Sequence, residues 1–365
     1  MTNKLKTWCR IDLDAIAHNY NYTKSKTNAR IICVVKANAY GHGAIPVSKR
    51  LMDEGCDFFA VSSIEEALEL RNGGIKCSIL VLGYILPCRI QEAIENDISF
   101  ACASFDFAKI ICNTMASKKA KIHIKLSTGM NRTGFCICHE NGYEELGNAI
   151  DLIKNCDNVE IEGIFSHFAK AESDTEFSKK QFEHFEKGVD YIKKSGLNTG
   201  ILHICNSAGI QNYPEMHLDA VRLGINLYGC EADDKNYIQT MDFSTRIVDI
   251  HSLKKGDGVS YGTDFITDKD MKIAVIGAGY ADGLFRCLSN GKGQVIVNGK
   301  KCPIIGRVCM DMAMIDISNV ADAKIEDIVT IWGKDFSADE QAKNASTISY
   351  ELMCSVAPRV KRIYE

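Results

Sequence analysis

A lysine ends the first strongly apolar run of the chain. The run Ile31–Val35 contains no charged side chain, and Lys36 follows it directly. A lysine in this position is partly removed from water, and desolvation favours the neutral amine, which is the nucleophilic form. Lys36 is therefore a candidate for Schiff-base chemistry with a carbonyl compound. The local sequence equally allows a strand-end lysine that reaches solvent.

An arginine follows a later apolar run, inside a turn that contains glycines. The segment Ser127–Gly134 reads Ser-Thr-Gly-Met-Asn-Arg-Thr-Gly, with Arg132 near its end. The glycines suit a tight turn that aims Arg132 inward, and a guanidinium can bind a phenolate or a carboxylate through two hydrogen bonds. A surface arginine in a loop fits this segment equally well when it is taken alone.

Polar and small residues also follow the later apolar runs. They are His167 after Val159–Phe165, Ser207 after Ile201–Ile204, and Arg222, Gly224 and Ile225 at the end of Ala220–Leu223. Small residues with a hydroxyl after the last two strands are typical of the phosphate-binding corner of (β/α)8 barrels. A single histidine at a strand end is usually only hydrogen-bonded, so the prediction rests on the set of strand ends together.

These residues need a fold that brings strand ends to one place. Eight short apolar runs occur at helix-sized intervals: Ile31–Val35, Phe58–Val61, Ile79–Leu82, Ile98–Ala101, Lys121–Leu126, Val159–Phe165, Ile201–Ile204 and Ala220–Leu223. Segments with helical spacing, such as Ile64–Leu70 and Phe177–Lys194, lie between them. The pattern predicts an N-terminal (β/α)8 TIM barrel over residues 10–237, with its chemistry on the loops that follow the strands.

The pattern changes after residue 237. The runs Thr245–Leu253, Met271–Ile276, Gly293–Val297, Pro303–Val308 and Ala313–Ile317 are separated by short polar turns. Asn298-Gly299 between two of them is a hairpin signal. Residues 238–365 are therefore predicted to form a C-terminal, mostly antiparallel β domain, and the segment 1–9 is a candidate to pair with it.

Composition excludes several classes of partner. The formal net charge is -4 and charged residues make up 25% of the chain, so no basic surface for nucleic acid or anionic membrane is expected. No uninterrupted apolar stretch reaches membrane-spanning length, and we expect a soluble, cytoplasmic protein. Cys136, Cys138 and His139 offer three potential ligands without a fourth, so no metal site is predicted.

In combination these segments resemble the alanine racemase family over the full length of the chain. The similar segments, in family order, are Asp12–Asn19, Val34–Gly43, Thr128–Gly134, Gly163–Ala169, Asn206-Ser207, Val221–Ile225, Val259–Gly262, Gly279–Gly283 and Gly306–Asp311. Single pieces are weak signals, whereas the ordered set is highly specific. The resemblance implies pyridoxal 5'-phosphate (PLP) as the cofactor, a small amino acid as the substrate, and a head-to-tail homodimer with shared active sites.

The resemblance also implies residue roles. Lys36 would hold PLP covalently and act as one catalytic base, and Tyr261 of the partner subunit would act as the other. The implied cofactor-binding residues are Lys36, Tyr40, Arg132, His167, Ser207, Arg222, Gly224 and Ile225. Arg132 and Met310 would bind substrate, Lys125 would be carbamylated, and Tyr280, Arg286 and Arg307 match a substrate access corridor.

Three positions depart from the family pattern. Asn131 replaces the usual glycine before the arginine, and Ser127 replaces the usual aspartate in the same turn. Pro358 stands where many members have a tyrosine that contributes to the phosphate site and the pocket wall. This last difference puts strict selectivity for alanine in doubt.

The implied activity is interconversion of L- and D-alanine by two bases, which would supply D-alanine for cell-wall synthesis. One alternative is a racemase for serine or a broader set of small amino acids. A PLP-dependent decarboxylase typically has a carboxylate at the pyridine nitrogen, where this chain offers Arg222. A non-enzymatic PLP carrier is a single barrel, which would leave about 125 residues beyond the barrel unexplained.

Overall fold

The computed structural model describes residues 4–365, so residues 1–3 of the predicted pairing segment 1–9 lie outside the described residues. The chain divides into two compact units. The barrel unit comprises residues 20–39 and 44–227, and the β unit comprises the described residues up to 19, residues 40–43 and residues 228–365. The predicted domain boundaries, 10–237 and 238–365, stay predictions.

The barrel unit is built on eight parallel strands. They are β2 (Arg30–Val34), β3 (Phe58–Val61), β4 (Ser78–Val81), β5 (Ser99–Cys102), β6 (Ala120–Ser127), β8 (Val159–Phe165), β9 (Ile201–His203) and β10 (Ala220–Leu223). They pair in chain order, and β10 pairs with β2, which closes the barrel. The predicted (β/α)8 barrel is confirmed, and a two-residue strand β7 (Phe135–Cys136) pairs with the end of β6.

Helices separate most of the barrel strands. The α-helices up to the end of the barrel are Leu13–Lys26, Ala44–Asp53, Ile64–Asn72, Ile90–Glu95, Phe105–Asn113, Glu140–Lys154, Thr175–Lys194 and Ser207–Asn212. Several begin at side chains that accept a backbone N–H of the first turn, as Ser63, Ser104 and Asp174 do. All four residues of β3 are buried, as expected for a parallel strand covered on both faces.

The β unit contains a mostly antiparallel sheet. Its strands are β1 (Thr7–Ile11), β11 (Met241–Leu253), β14 (Met271–Ile276), β15 (Gln294–Val297), β16 (Lys300–Ile305), β17 (Ala313–Asp316), β18 (Ile328–Trp332) and β19 (Lys361–Tyr364). The long strand β11 pairs with both β14 and β18, which closes six strands on themselves, and with β1. A small ribbon, β12 (Gly258–Val259) with β13 (Phe265–Ile266), and the helices Ala338–Asn344 and Ser349–Ser355 complete the unit.

Turn chemistry fixes two strand ends in the β unit. Asn298 and Gly299 have φ of +47° and +74° and join β15 to β16 with Val297 opposite Lys300, as the hairpin signal predicts. The predicted run Pro303–Val308 was placed too late, because the strand starts at Lys300 and ends before Gly306, whose φ is +64°. Strands β18 and β19 were not predicted.

No helix within residues 4–365 combines the length and the apolar character needed to span a bilayer.

Candidate active site

Lys36 lies just beyond β2 and opens a left-handed turn. Residues Ala37, Asn38 and Ala39 have φ of 51°, 54° and 53°, with ψ between 47° and 52°. For residues with a Cβ this conformation costs roughly 1–2 kcal/mol each. Such a turn persists only where its surroundings hold it, and strained backbone of this kind clusters at functional sites.

A carboxylate from the next βα segment holds this turn. Glu66 accepts the backbone N–H of Ala37 at 2.6 Å through one oxygen and that of Ser62 at 2.7 Å through the other. The Asn38 side chain in turn accepts the N–H of Ala44 at 2.7 Å. Glu66 therefore ties the peptide that follows Lys36 to the end of β3.

Arg222 on β10 is buried and almost fully hydrogen-bonded. Its guanidinium donates to Nδ1 of His203 at 2.7 Å and of His167 at 3.1 Å. It also donates to the backbone carbonyls of Ser166, Ile204 and His203, at 2.6, 2.8 and 3.2 Å. Within residues 4–365, no acceptor contacts its Nε–H and no carboxylate contacts the guanidinium.

The electrostatics around Arg222 follow from burial. Burial lowers the pKa of Arg222 to about 10, with nearby Arg132 acting in the same direction. Burial, together with the charge of Arg222, holds the pKa of His167 and of His203 well below the usual value of a histidine. Both imidazoles are therefore neutral acceptors at neutral pH, and Arg222 keeps its proton.

Lys125 on β6 and Arg132 on the exposed turn after it lie close enough to Arg222 for their charges to interact. Lys125 on β6 is 7% exposed, and its Nζ lies 5.4 Å from the centre of the Phe165 ring. Burial lowers its pKa to about 8, with further lowering by Arg132, Arg222 and Lys36. No hydrogen-bond acceptor contacts the Lys125 amine in the described chain. Four cations thus share one region, which favours binding of anions.

Ser207 marks the corner after the last two strands. It is buried, and its hydroxyl oxygen accepts the backbone N–H of Gly224 at 2.9 Å. Because Oγ acts as the acceptor in that bond, its own proton is available for an anion. Gly224 and Ile225 follow β10, and Ile225–Tyr228 forms a 3-10 turn. The strand ends thus bring Ser207, Gly224 and Ile225 together with Arg222 and His167.

The remaining predicted residues lie in the β unit. Tyr261 is 70% exposed and Met310 is 53% exposed. The preceding residue, Ser260, donates to the carbonyl of Arg307 at 2.6 Å, which ties the Tyr261 loop to the segment that carries Met310. The ring of Tyr40 packs against those of Tyr228 and Tyr350 in the same unit. The roles of Tyr40, Tyr261 and Met310 stay predictions.

Comparison with known proteins gives one consistent result. Residues 11–232 match the family model "Alanine racemase, N-terminal domain", and residues 240–364 match "Alanine racemase, C-terminal domain". The chain belongs to the alanine racemase family.

Curated and solved members of the alanine racemase family resemble the whole chain. Alanine racemase 2 of Caldanaerobacter subterraneus is 41% identical, covering 98% of this chain and 94% of that protein. The alanine racemase of Methanococcus maripaludis is 39% identical, covering 98% of each. The alanine racemase structure from Clostridium difficile has a TM-score of 0.92 at 34% identity, covering 100% of this chain and 96% of that one.

Residues in the barrel unit suit the cofactor that the alanine racemase family implies. No acceptor contacts the Nε–H of Arg222 in the described chain, and such a free N–H would suit an unprotonated pyridine nitrogen. Ser207 with the amides near Gly224 suits a phosphate, and the surrounding cations suit the remaining negative charge of PLP. Lys36 would hold the aldehyde carbon.

Four residues at or below this site were missed from the sequence: Glu66, His123, Glu162 and His203. His123 and Lys125 alternate on β6, and residues two apart on a strand share a face. That alternation within a buried strand was a readable signal of polar side chains inside the barrel. Glu66 lies three residues after the N-cap Ser63, where a glutamate usually caps its own helix. Its contact with Ala37 could therefore not be predicted from the sequence.

Proposed function

We propose that this protein is a PLP-dependent racemase that interconverts L-alanine and D-alanine. The observation that carries the proposal is the environment of Arg222, a buried arginine that contacts no carboxylate among the described residues. Family membership supports racemisation, and the whole-length similarity to curated alanine racemases supports alanine as the substrate.

PLP, when bound, withdraws electrons from the α-carbon of the substrate. Arg222 would face the pyridine nitrogen, and because the guanidinium keeps its proton at neutral pH, it would leave that nitrogen unprotonated and the electron withdrawal moderate. This favours return of a proton to the α-carbon over transamination and decarboxylation. A decarboxylase would be expected to place a carboxylate here.

Racemisation removes the α-proton from one face of the substrate and returns a proton to the other. In this proposal, Lys36 Nζ serves one face and the hydroxyl of Tyr261 of the partner subunit serves the other. Arg132 and Met310 bind the substrate, with Arg132 pairing with its carboxylate. Tyr40, His167, Ser207, Arg222, Gly224 and Ile225 hold the cofactor.

A homodimer with shared sites is part of the proposal. Large exposed side chains lie on the loops of the β unit that carry the second base: Tyr261, Tyr280, Met310 and Met312. Exposed apolar and aromatic groups of this kind are typical of a protein interface. The cytoplasmic location and the supply of D-alanine for the cell wall stay predictions.

We further propose that Lys125 carries a carbamate. A pKa of about 8 leaves a usable fraction of neutral amine, which is the form that reacts with carbon dioxide. The surrounding cations would stabilise the resulting anion, and Ser127 Oγ, which is buried without a partner in the described chain, is a donor two residues along the same strand. The carbamate would then orient Arg132.

The test is a racemisation assay on purified holoenzyme with single L-amino acids, read by chiral chromatography. Alanine should be converted with the highest kcat/KM of the amino acids tested. Because the equilibrium constant between L- and D-alanine is about one, kcat/KM should be equal in the two directions. Serine is the second substrate to measure, because Pro358 stands where many members of the family have a tyrosine in the pocket wall. A higher kcat/KM for serine would replace alanine as the assigned substrate, and carbon dioxide release without racemisation would overturn the reaction class.

A further inference from the structure

A row of polar side chains runs from the buried Arg222 through two buried histidines to the partly buried Glu162. His203 lies 2.7 Å from the guanidinium, and its other ring nitrogen lies 2.9 Å from Nδ1 of His123. Nε2 of His123 lies 3.2 Å from a carboxylate oxygen of Glu162, which Ser99 also contacts. The strands β10, β9, β6 and β8 supply these residues, so the row links four strands of one unit.

The register of the strands shows that the row runs away from the strand ends. His203 pairs with Phe165 and Phe165 with Lys125, so these three share one level of the barrel. His123 is two residues earlier on β6 and pairs with Gly163. Glu162 therefore lies at a lower level than Arg222, towards the amino-terminal ends of the strands.

The direction of every hydrogen bond in the row follows from its two ends. An arginine can only donate, so Nδ1 of His203 must accept and its Nε2 carries the proton. That Nε2–H donates to Nδ1 of His123, whose own proton is then on Nε2 and donates to Glu162. Both imidazoles are thereby fixed as the same neutral tautomer, and the ionised carboxylate is the terminal acceptor.

The charges agree with this order. Burial lowers the pKa of His123, as it does that of His203, so neither ring is charged at neutral pH. Glu162 is partly buried, which opposes ionisation, but the bonds from His123 and Ser99 outweigh burial and lower its pKa. Within residues 4–365, Glu162 is thus the carboxylate that reaches Arg222 through an unbroken series of hydrogen bonds.

The backbone leaves room for this row. Gly163 pairs with His123, and a Cβ at Gly163 would lie 2.4 Å from Nδ1 of His123 and 2.6 Å from the carbonyl oxygen of Ile201. Any other residue at position 163 would displace the imidazole from its place between His203 and Glu162. The glycine is therefore required for the imidazole–imidazole contact.

We propose that Glu162 is a positioning residue for racemisation: through His123 and His203, its carboxylate fixes the orientation of Arg222 at the cofactor. Hydrogen bonds to a charged acceptor are stronger than neutral ones, and successive bonds polarise one another. The negative charge of the Glu162 carboxylate makes His123, and through it His203, a stronger hydrogen-bond acceptor. The bond from Arg222 to His203 is therefore stronger. This inference rests on the proposed racemase function.

The central test is the variant E162Q in the full-length holoenzyme. The amide that replaces the carboxylate can still accept a hydrogen bond from His123 through its oxygen, but it carries no charge. If the amide instead donates to His123, both histidines must change tautomer, and an N–H of His203 would then face an N–H of Arg222. We expect E162Q to lower the affinity for PLP about 10-fold and to raise several-fold the share of turnovers that end in amino-group transfer to the cofactor. A loosely held Arg222 would allow protonation of the pyridine nitrogen, which favours that side reaction.

Two matched variants separate this role from folding. Glu160 lies on the same strand and is exposed, so E160Q should leave PLP affinity and the side-reaction share unchanged. The change His123→Asn leaves a side chain too short to bridge its two neighbours, so it should reproduce the E162Q effects without further loss in the double variant. If E162Q does not fold, H123N alone carries the test.

Histidine ring N–H signals from NMR of the holoenzyme provide a readout besides activity. The wild type should show Nε2–H protons on His123 and His203, and E162Q should shift both, with the larger shift on His123. Nδ1–H tautomers in the wild type would overturn the proposal. Shifts in both rings with unchanged PLP affinity and side-reaction share would also overturn it. Absence of alanine racemisation in the wild type would overturn the proposed function instead. The PLP affinities and NMR signals of the wild type and E162Q would still test whether the row from Glu162 orients Arg222.

Discussion

The barrel unit and the β unit present their functional residues in opposite ways. Arg222 is 3% exposed and its contacts are complete except at one N–H, whereas Tyr261 is 70% exposed on a loop. The first arrangement is organised within one chain, because strands and buried hydrogen bonds fix it before any ligand binds. The second consists of an aromatic side chain that is mostly exposed in the single chain. The barrel residues around Arg222 are thus held by contacts within their own unit, and the exposure of Tyr261 agrees with the proposal that it acts at the site of a partner subunit.

The largest effect is expected from Lys36→Ala, which removes the amine proposed to hold the cofactor. We expect loss of the Schiff-base absorbance of bound PLP and a fall in racemisation of more than ~10⁴-fold, because in the proposed mechanism this one amine both holds the cofactor and moves a proton. The absorption spectrum of purified protein is the measurement. Persistence of that absorbance would assign the covalent attachment to another lysine, and Lys121→Ala on the same barrel serves as the control.

Tyr261→Phe breaks the other half while leaving the cofactor in place. The absorbance of bound PLP should stay, and racemisation should fall by about 10²- to 10⁴-fold because one face of the substrate loses its acid/base group. Exchange of the α-proton with deuterated solvent should persist for one enantiomer only. Full activity in both directions would contradict the two-base assignment.

Mixing the two inactive variants sharpens the comparison. A mixed dimer of Lys36→Ala and Tyr261→Phe subunits has one site with both changes and one site with neither. Random exchange should restore about a quarter of wild-type activity, because half of the dimers are mixed and each has one intact site. Native mass spectrometry must show that subunits exchange, since no recovery among demonstrably mixed dimers would place both bases in one chain.

A further prediction is that Lys125 reacts with carbon dioxide to form a carbamate among the neighbouring cations. Protein equilibrated with ¹³C-bicarbonate should give a carbamate carbon signal that Lys125→Arg removes and Lys121→Arg does not. The signal should weaken as the pH falls below about 8, because the protonated amine cannot react. An unmodified amine at alkaline pH would contradict the prediction.

The lowered pKa of Lys125 predicts that the stability of the protein rises with pH above about 8. Its folded pKa of about 8 is below its ordinary value of 10.5, so the unfolded chain binds more protons between these values. In carbon dioxide-free buffer, the free energy of unfolding of the wild type relative to Lys125→Met should therefore rise from pH 8 to pH 10. A constant difference would show that burial does not destabilise the charged ammonium form of Lys125.

The smallest expected effect concerns the turn after Lys36. Glu66→Gln converts one accepting oxygen to a donor that faces a backbone N–H, so the left-handed turn should be held less well. We expect a loss of about 1–2 kcal/mol in the free energy of unfolding and slower attachment of PLP. Thermal unfolding and stopped-flow absorbance measure these, with the exposed Glu69→Gln as the control. Unchanged attachment at lowered stability would limit Glu66 to a structural role.

The sequence by itself determined the barrel and the identity of its strand-end residues. Apolar runs at helix-sized intervals can bury both faces only in a parallel sheet, and the chemistry of a closed barrel follows its strands. Lys36, Arg132, His167, Ser207 and Arg222 were accordingly visible as residues next to such runs. Strands β3, β8 and β10 agree with prediction to the residue, because their runs have sharp polar boundaries.

Only the tertiary structure decided which distant residues support them. The contact of Glu66 with Ala37 and the row from Arg222 to Glu162 join residues that are 29 and 60 positions apart. Neither contact has a local signature, since side chains that alternate along a strand reveal a shared face but not their partner across the barrel. The left-handed turn at Ala37–Tyr40 was equally hidden, because alanine has no preference for that conformation and adopts it only where neighbouring segments impose it.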